Sequence, residues 1–334
     1  MDYRDTLWSP SCEAPKSESY SIARHVVALF VVLGCSLFGT VLPILGKRAS
    51  TFHIPEYAYA IGKSVATGVV LGVALIHMLE PANQSLTSEC LPSAIRNLSN
   101  PLAYTICLIS VAIMHSLEAC LRAFVQDCSA VLNSPITSEE SKHLLSGYKA
   151  GDRHFHPPVP ALDDSEDPVG LQILSAVLLE FGVSLHSLFI GLTVGVCVDA
   201  ELYTLMCALS FHQFFEGVAL GSRIVDTALS LHTEYIFVAV FVLSAPFGTA
   251  VGITCVCKQV INTKGSSYLL TQGILESVCA GILLYIGFQL LMDHFYTDVR
   301  SNIHSVRSPC GFVLVMLIAF WAGVSIMVLI GQYL

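Results

Sequence analysis

Charged residues are scarce in this sequence. Asp, Glu, Lys and Arg make up only 12% of the 334 residues, whereas apolar residues make up 54%. Soluble globular proteins have about a quarter of their residues charged. With a mean hydropathy of +0.68, the chain is too apolar for a soluble protein, and most of it is expected to cross lipid.

Basic residues are scarcer than acidic ones. The sequence has 16 Lys and Arg against 25 Asp and Glu, which gives a net charge of −9. It therefore offers no basic patch for nucleic acid, and we expect no nucleic-acid partner. The acidic residues lie largely in predicted loops, which they keep soluble.

The sequence shows neither a paired-cysteine motif nor a cleavable signal peptide. The 12 cysteines include no CxxC pair, so most are expected to be small apolar residues within helices. Cys12 and Cys90 fall in segments predicted to lie outside, where a disulfide is possible but is not specified by the sequence. Mostly polar residues precede the first apolar run, so that run is expected to act as an uncleaved insertion signal.

Strands of alternating polarity are also missing, which excludes a membrane barrel. Instead, the sequence has apolar runs near the length of about 20 residues that an α-helix needs to span a bilayer. These runs predict an all-α membrane protein with eight transmembrane helices, at roughly 24–45, 59–80, 102–124, 169–196, 200–221, 234–257, 268–291 and 311–333.

One long polar stretch divides the chain. Residues 125–168 are rich in proline and acidic residues and cannot bury a core, so we expect a cytoplasmic variable loop. Residues 1–23 form an extracellular segment, residues 24–124 contain helices one to three, and residues 169–334 contain helices four to eight. Within the loop, His154 and His156 are weak candidates for metal ligands.

The distribution of basic residues predicts the orientation. More Lys and Arg fall in cytoplasmic segments if the N-terminus lies outside, as the positive-inside rule requires. Two glycosylation motifs, at Asn83 and Asn97, then lie outside, between helices two and three. Both termini are therefore expected to be extracytoplasmic.

Two polar boxes interrupt the fourth and fifth helices. His186 begins one box and His212 begins the other, each about 10–12 residues from the short loop 199–201 that joins the two helices. At ~1.5 Å per residue, both histidines lie roughly 15–18 Å below that surface, near the bilayer midplane. Ionisable groups at that depth are costly and mark a pathway or a site.

A carboxylate accompanies the second histidine. Glu216 follows His212 by four residues, so both side chains share one helix face and can grip one ion. Imidazole and carboxylate suit Zn²⁺ and Fe²⁺. One histidine alone could simply bond a neighbouring helix, but two at matched depth with a glutamate favour a metal site formed by His186, His212 and Glu216.

Other polar residues flank these boxes. Gln213 directly follows His212 and either binds the metal itself or hydrogen-bonds a metal ligand. Ser187 directly follows His186 in the same way. Glu180 lies two turns from Ser187 on the same face. We interpret Glu180 as an exit-side relay, with helix packing as the alternative.

Two further helices carry candidates. His77 and Glu80 are three residues apart near the outer end of the second helix, where they form an entrance pair or snorkel to the interface. Glu276 in the seventh helix is a further pathway candidate. His115 and Glu118 in the third helix are better explained by helix packing.

Several motifs together resemble the ZIP (zinc- and iron-regulated transporter-like) family over nearly the whole chain. The strongest are the box His212-Gln213-Phe-Phe-Glu216-Gly217 and its partner His186-Ser187-Leu-Phe-Ile-Gly191. Weaker matches are Ile76-His77-Met-Leu in the second helix, Pro246-Phe-Gly248 in the sixth and Gly273-Ile-Leu-Glu276 in the seventh.

This resemblance implies a particular architecture and activity. The eight helices would form a 3+2+3 pseudo-symmetric bundle, usually a homodimer, with helices four and five lining the path. The implied activity is import of divalent cations into the cytosol, most simply at the plasma membrane, with His186, His212 and Glu216 as the first metal site. Ile190 stands where some members have Glu, which resembles the plant iron-regulated branch.

Two other functions are possible for such a site. An intramembrane metal-dependent enzyme would need a closed ligand set with a general base, for example HExxH, which the sequence lacks. A metal-sensing receptor is less consistent with the small loops. We therefore expect a transporter and not an enzyme, with no cofactor and with Zn²⁺ or Fe²⁺ as the substrate; Mn²⁺ also remains open.

Overall fold

The protein is described here by a computed structural model. It describes residue 12 and residues 19–48, 54–96, 101–133, 169–227, 229–258, 265–302, 306 and 308–332. The predicted loop ligands His154 and His156, and the glycosylation candidate Asn97, lie outside these ranges.

The described residues form eight long helices and no strand, which confirms the all-α prediction. Their bounds are α1 Ile22–Arg48, α2 Glu56–Thr87, α3 Leu102–Asn133, α4 Val169–Val196, α5 Asp199–Asp226, α6 Leu231–Lys258, α7 Ser266–Asn302 and α8 Pro309–Gly331. Within α2, Val73–Leu79 is π-helical, as is Leu290–His294 within α7. Helix α3 extends past residue 125, where the sequence predicted the loop to begin.

Seven of these helices are long and apolar enough to cross a membrane. The helix outside this set is α5, which has 28 residues but carries Asp199, Glu201, Glu216, Arg223 and Asp226. The protein is therefore a multi-pass membrane protein in which the most polar helix is one that also carries a predicted metal-site box.

The outer surface is apolar. Large side chains such as Leu108, Phe247 and Trp321 are 68%, 63% and 63% exposed. In contrast, many polar and charged residues, including His212 and Glu216, are buried. A protein with apolar side chains outside and polar groups inside matches a lipid environment, where only inward-facing polar groups are tolerated.

Small residues allow close helix packing. A Cβ at Gly191 of α4 would meet the backbone of Ala245 in α6 at 2.1 Å, and one at Gly217 of α5 would meet Thr40 of α1 at 2.8 Å. Only glycine permits such approaches. Gly191 and Gly217 are thus packing positions, which bring α4 close to α6 and α5 close to α1.

The helices pack in two groups. Helices α1, α4, α5 and α6 pack mainly with one another, and α2, α3, α7 and α8 form the second group. Between the groups, α2 contacts α5 and α4 contacts α7. This interface is where the buried polar residues of α2, α4 and α5 meet.

A disulfide joins Cys12, before α1, to Cys90, after α2. The bond places Cys12 beside the connection that follows α2. The possible Cys12–Cys90 bond in the sequence analysis is thus present in the structure.

Candidate metal centre

Three buried histidines from three helices meet in the interior. His77 of α2, His186 of α4 and His212 of α5 each offer one ring nitrogen, and these atoms all lie within 4.8 Å of one another. The ring centroids are 4.7 Å apart for His77 and His212, 5.5 Å for His77 and His186, and 6.3 Å for His186 and His212. We call these residues the three-histidine cluster.

The three-histidine cluster has the chemistry of a metal site. Both ring nitrogens of His77, His186 and His212 are buried and have no hydrogen-bond partner in the described part of the chain. Buried polar groups without partners are costly and rare in proteins. Imidazole nitrogens are common ligands of Zn²⁺ and other divalent transition metals, so a bound cation would satisfy one nitrogen of each ring.

His77 does not form the entrance pair with Glu80 that was one interpretation of the sequence. It lies in the π-helical segment Val73–Leu79 and is buried against the other two histidines. Glu80, its expected partner in an entrance pair, is exposed and accepts a hydrogen bond from Gln84 Nε2 at 3.2 Å. Such π-helical segments within α-helices are frequent at functional sites.

Glu216 lies one turn further along α5 than His212. It is fully buried, and neither carboxylate oxygen has a hydrogen-bond partner among the described residues. It does not belong to the group of ligand atoms within 4.8 Å of one another. The structure therefore groups His186 and His212 with His77, and Glu216 follows the cluster toward Asp226.

Ser187 and Gln213 contact each other. Gln213 Nε2 donates a hydrogen bond to Ser187 Oγ at 3.0 Å, and both side chains are fully buried. This bond joins α4 to α5 at the positions that directly follow His186 and His212. It links the two helices directly beside the two imidazoles.

Two more buried carboxylates each have one free oxygen. Glu180 Oε1 accepts from Ser184 Oγ at 2.6 Å, and Glu276 Oε1 accepts from Gln272 Nε2 at 3.0 Å. The Oε2 atoms of Glu180 and Glu276 are buried without a partner in the described structure. Both residues are thus available to interact with a cation.

The remaining sequence candidates are not members of this cluster. Asn83 is half-buried in the last part of α2. Ile190 is buried in an apolar cluster with Ala28, Val194 and Leu209. Glu118 of α3 accepts hydrogen bonds from neighbouring side chains, including those of Arg122 in its own helix and of Tyr285 and Gln289 in α7.

Comparison with known proteins identifies relatives over nearly the whole chain. The sequence model of the ZIP zinc transporter family matches residues 23–331. Zinc transporter 5 of Oryza sativa subsp. japonica is 29% identical over 324 residues, which cover 92% of this chain and 90% of that protein.

Two further relatives come from a fungus and another plant. Zinc-regulated transporter 1 of Candida albicans is 29% identical over 322 residues, covering 93% of this chain and 64% of that protein. Fe(2+) transport protein 1 of Arabidopsis thaliana is 28% identical over 280 residues, covering 84% of this chain and 78% of that protein.

Proposed function

We propose that this chain, which belongs to the ZIP zinc transporter family, carries divalent transition-metal cations, zinc or iron, across a membrane into the cytosol. Membership of that family makes it a transporter rather than an enzyme. The observation that carries the proposal is the three-histidine cluster, whose ring nitrogens are buried and unpartnered inside an apolar bundle.

The ligand chemistry favours transport over permanent binding. Neutral imidazoles from His77, His186 and His212 hold Zn²⁺ or Fe²⁺ without the thiolates that would trap a soft ion. Conduction requires binding that is strong enough to admit an ion and weak enough to release it. In this proposal the metal ion is the substrate.

A path can be traced from the cluster toward the cytoplasm. Glu216 is the next buried and unpartnered ligand along α5, and the half-free carboxylate of Glu180 lies on α4. We place Glu216 as the group that takes the ion from His212, followed by Glu180. Ser187 and Gln213 hold the two helices in register.

The proposed topology has eight spans, in the 3+2+3 arrangement, with both termini outside. Counting α5 as the eighth span is supported by its close packing on α1 and by the burial of most of its polar residues. The Cys12–Cys90 disulfide supports an outer location for both cysteines, because disulfides persist in oxidising compartments. A homodimer in the plasma membrane, glycosylated at Asn83 and Asn97, remains a prediction.

Uptake into vesicles that contain only this protein tests the proposal. When Zn²⁺ or Fe²⁺ is added outside, vesicles that contain the unsubstituted protein should accumulate the ion. With His186→Ala or His212→Ala, uptake should fall to the level of vesicles without protein. The matched control is His115→Ala, because His115 is exposed on α3. A metal-sensing receptor would bind the ion and leave the vesicles empty, and that result would refute transport.

A further inference from the structure

Glu276 of α7 is another buried carboxylate with an oxygen that lacks a partner in the described structure. Its side chain is only 2% exposed, and Gln272 Nε2 donates to Oε1 at 3.0 Å. Oε2 is buried and has no hydrogen-bond partner among the described residues. An ionisable group at such a position in a membrane helix is costly, and it typically faces an ion path.

One side of Glu276 faces α2. Gly273, one turn before Glu276, packs against Leu86, and Gly287, eleven positions after it on the same helix stripe, packs against Leu71. The two contacts show that α7 and α2 run antiparallel here. The stripe that contains Glu276 therefore lies along the helix that carries His77.

The other side of Glu276 faces α4. Leu283, two turns after Glu276 on nearly the same face, contacts the position of Gly182 in α4. The carboxylate consequently lies at the seam between α2 and α4. These helices contribute His77 and His186 to the three-histidine cluster.

Glu276 also lies at a defined level relative to the cluster. Since Gly273 is opposite Ala82 and Leu86, residue 276 faces α2 in the turn that follows His77. With a rise of 1.5 Å per residue, this is roughly 5 Å from His77 toward the Thr87 end of α2. In the proposed topology, that direction leads to the outside.

We propose that Glu276 is the outer capture ligand of the metal path: its free carboxylate oxygen takes a divalent cation arriving from outside and passes it to the three-histidine cluster. This inference rests on the proposed function. A carboxylate oxygen is a good ligand for Zn²⁺, Fe²⁺ and Mn²⁺. Its negative charge also raises the cation concentration on the outer side of the neutral imidazoles. A single carboxylate binds weakly enough to release the ion inward.

Uptake kinetics of Glu276→Gln test the assignment. The substitution keeps the shape and removes the charge, so the apparent Km for Zn²⁺ should rise about tenfold while the maximal rate stays within about twofold. Glu276→Asp should restore most of the affinity. The matched control is Glu89→Gln, which removes an exposed carboxylate from the connection after α2 and should leave Km unchanged.

Two results would overturn the inference. One is a Km for Glu276→Gln within about twofold of the unsubstituted protein. The other is a fall in maximal rate alone, which would indicate a structural role. Transport by the unsubstituted protein is measured in the same vesicles, so failure of the proposed function is seen separately from failure of this inference.

A cysteine at the same position provides an assay that does not depend on the folding of Glu276→Gln. Glu276→Cys should become sensitive to a membrane-impermeant thiol reagent applied from outside, and saturating Zn²⁺ should slow the inhibition. Ile274→Cys is the control, because Ile274 is 36% exposed on the outer surface of α7. Equal sensitivity of the two variants, or no protection by Zn²⁺, would place Glu276 off the path.

Discussion

The imidazole rings of His77 and His212 lie 4.7 Å apart, centroid to centroid, although they belong to different helix groups. His77 is on α2 and His212 is on α5. The contact means that the candidate metal centre lies across the interface between the groups. A change in the relative position of the two groups would therefore change the ligand set directly.

Removal of His77 should weaken metal binding. His77→Ala deletes one of three grouped ligands, so we expect the affinity of the purified protein for Zn²⁺ to fall by about tenfold or more, equivalent to at least about 1.4 kcal/mol. Isothermal titration calorimetry measures this change, with His115→Ala as the control. An unchanged affinity would show that His77 only packs against the other two rings.

Removal of the Glu216 charge should separate binding from transport. Because Glu216 lies outside the three-histidine cluster, Glu216→Gln should slow uptake more than about tenfold and weaken equilibrium Zn²⁺ binding less than about threefold. Uptake and calorimetry on the same preparation give both values. A large loss of affinity would instead support Glu216 as a metal ligand together with His186 and His212.

An ion-pair network that joins α2, α5 and α7 should stabilise the helix bundle. Lys63 Nζ of α2 lies 2.9 Å from Asp226 Oδ2 of α5 and 3.0 Å from Asp298 Oδ1 of α7. Lys63→Met leaves both carboxylates without this partner. We expect a loss of about 1–3 kcal/mol, since the groups are partly exposed and the full cost of breaking a buried pair is not reached.

Thermal unfolding in detergent measures the effect of Lys63→Met as a fall in Tm. The double variant that also carries Asp298→Asn should recover part of the loss, because the carboxylate that loses Lys63 is then neutral. Asp226 keeps its ion pair with Lys47 Nζ at 3.3 Å. If both variants unfold at the temperature of the unsubstituted protein, the network contributes nothing to stability.

The Cys12–Cys90 disulfide gives a test of orientation. On intact cells, an impermeant reductant followed by an impermeant maleimide should label both cysteines, because both are predicted to lie outside. Single variants Cys12→Ser and Cys90→Ser identify the labelled positions. Labelling that requires permeabilised cells would invert the proposed topology.

The sequence alone determined the helices and most of the polar interior. Apolar runs long enough to span a bilayer predicted eight transmembrane helices. All eight are present as long helices, and seven of them are long and apolar enough to cross a membrane. Run length and helical rise are local properties of the chain, so the sequence determines them. The same rise placed His186 and His212 at similar depth, and the structure brings them together. Their helices are consecutive and joined by a very short loop, so matched distance from that loop ensures matched depth.

The tertiary structure decided which residues complete the site. His77 joins His186 and His212 in one group of ligand atoms, which spacing along the second helix did not indicate. Glu216, one turn after His212, stays a predicted ligand. Helical spacing fixes only neighbours on one helix. The approach of α2 to α5 depends on packing between helices distant in sequence, and the π-helical segment around His77 changes the direction of the side chains that follow it.

The same distinction applies to the other buried polar groups. The sequence showed that Glu118, Glu180 and Glu276 lie within apolar helices. Each of them could serve either helix packing or the ion path. In the structure, α7 supplies Tyr285 and Gln289 as donors to Glu118, whereas Glu180 and Glu276 each retain one unpartnered oxygen. Whether a buried carboxylate is satisfied depends on the facing helix, so only the assembled bundle separates a packing residue from a candidate for the ion path.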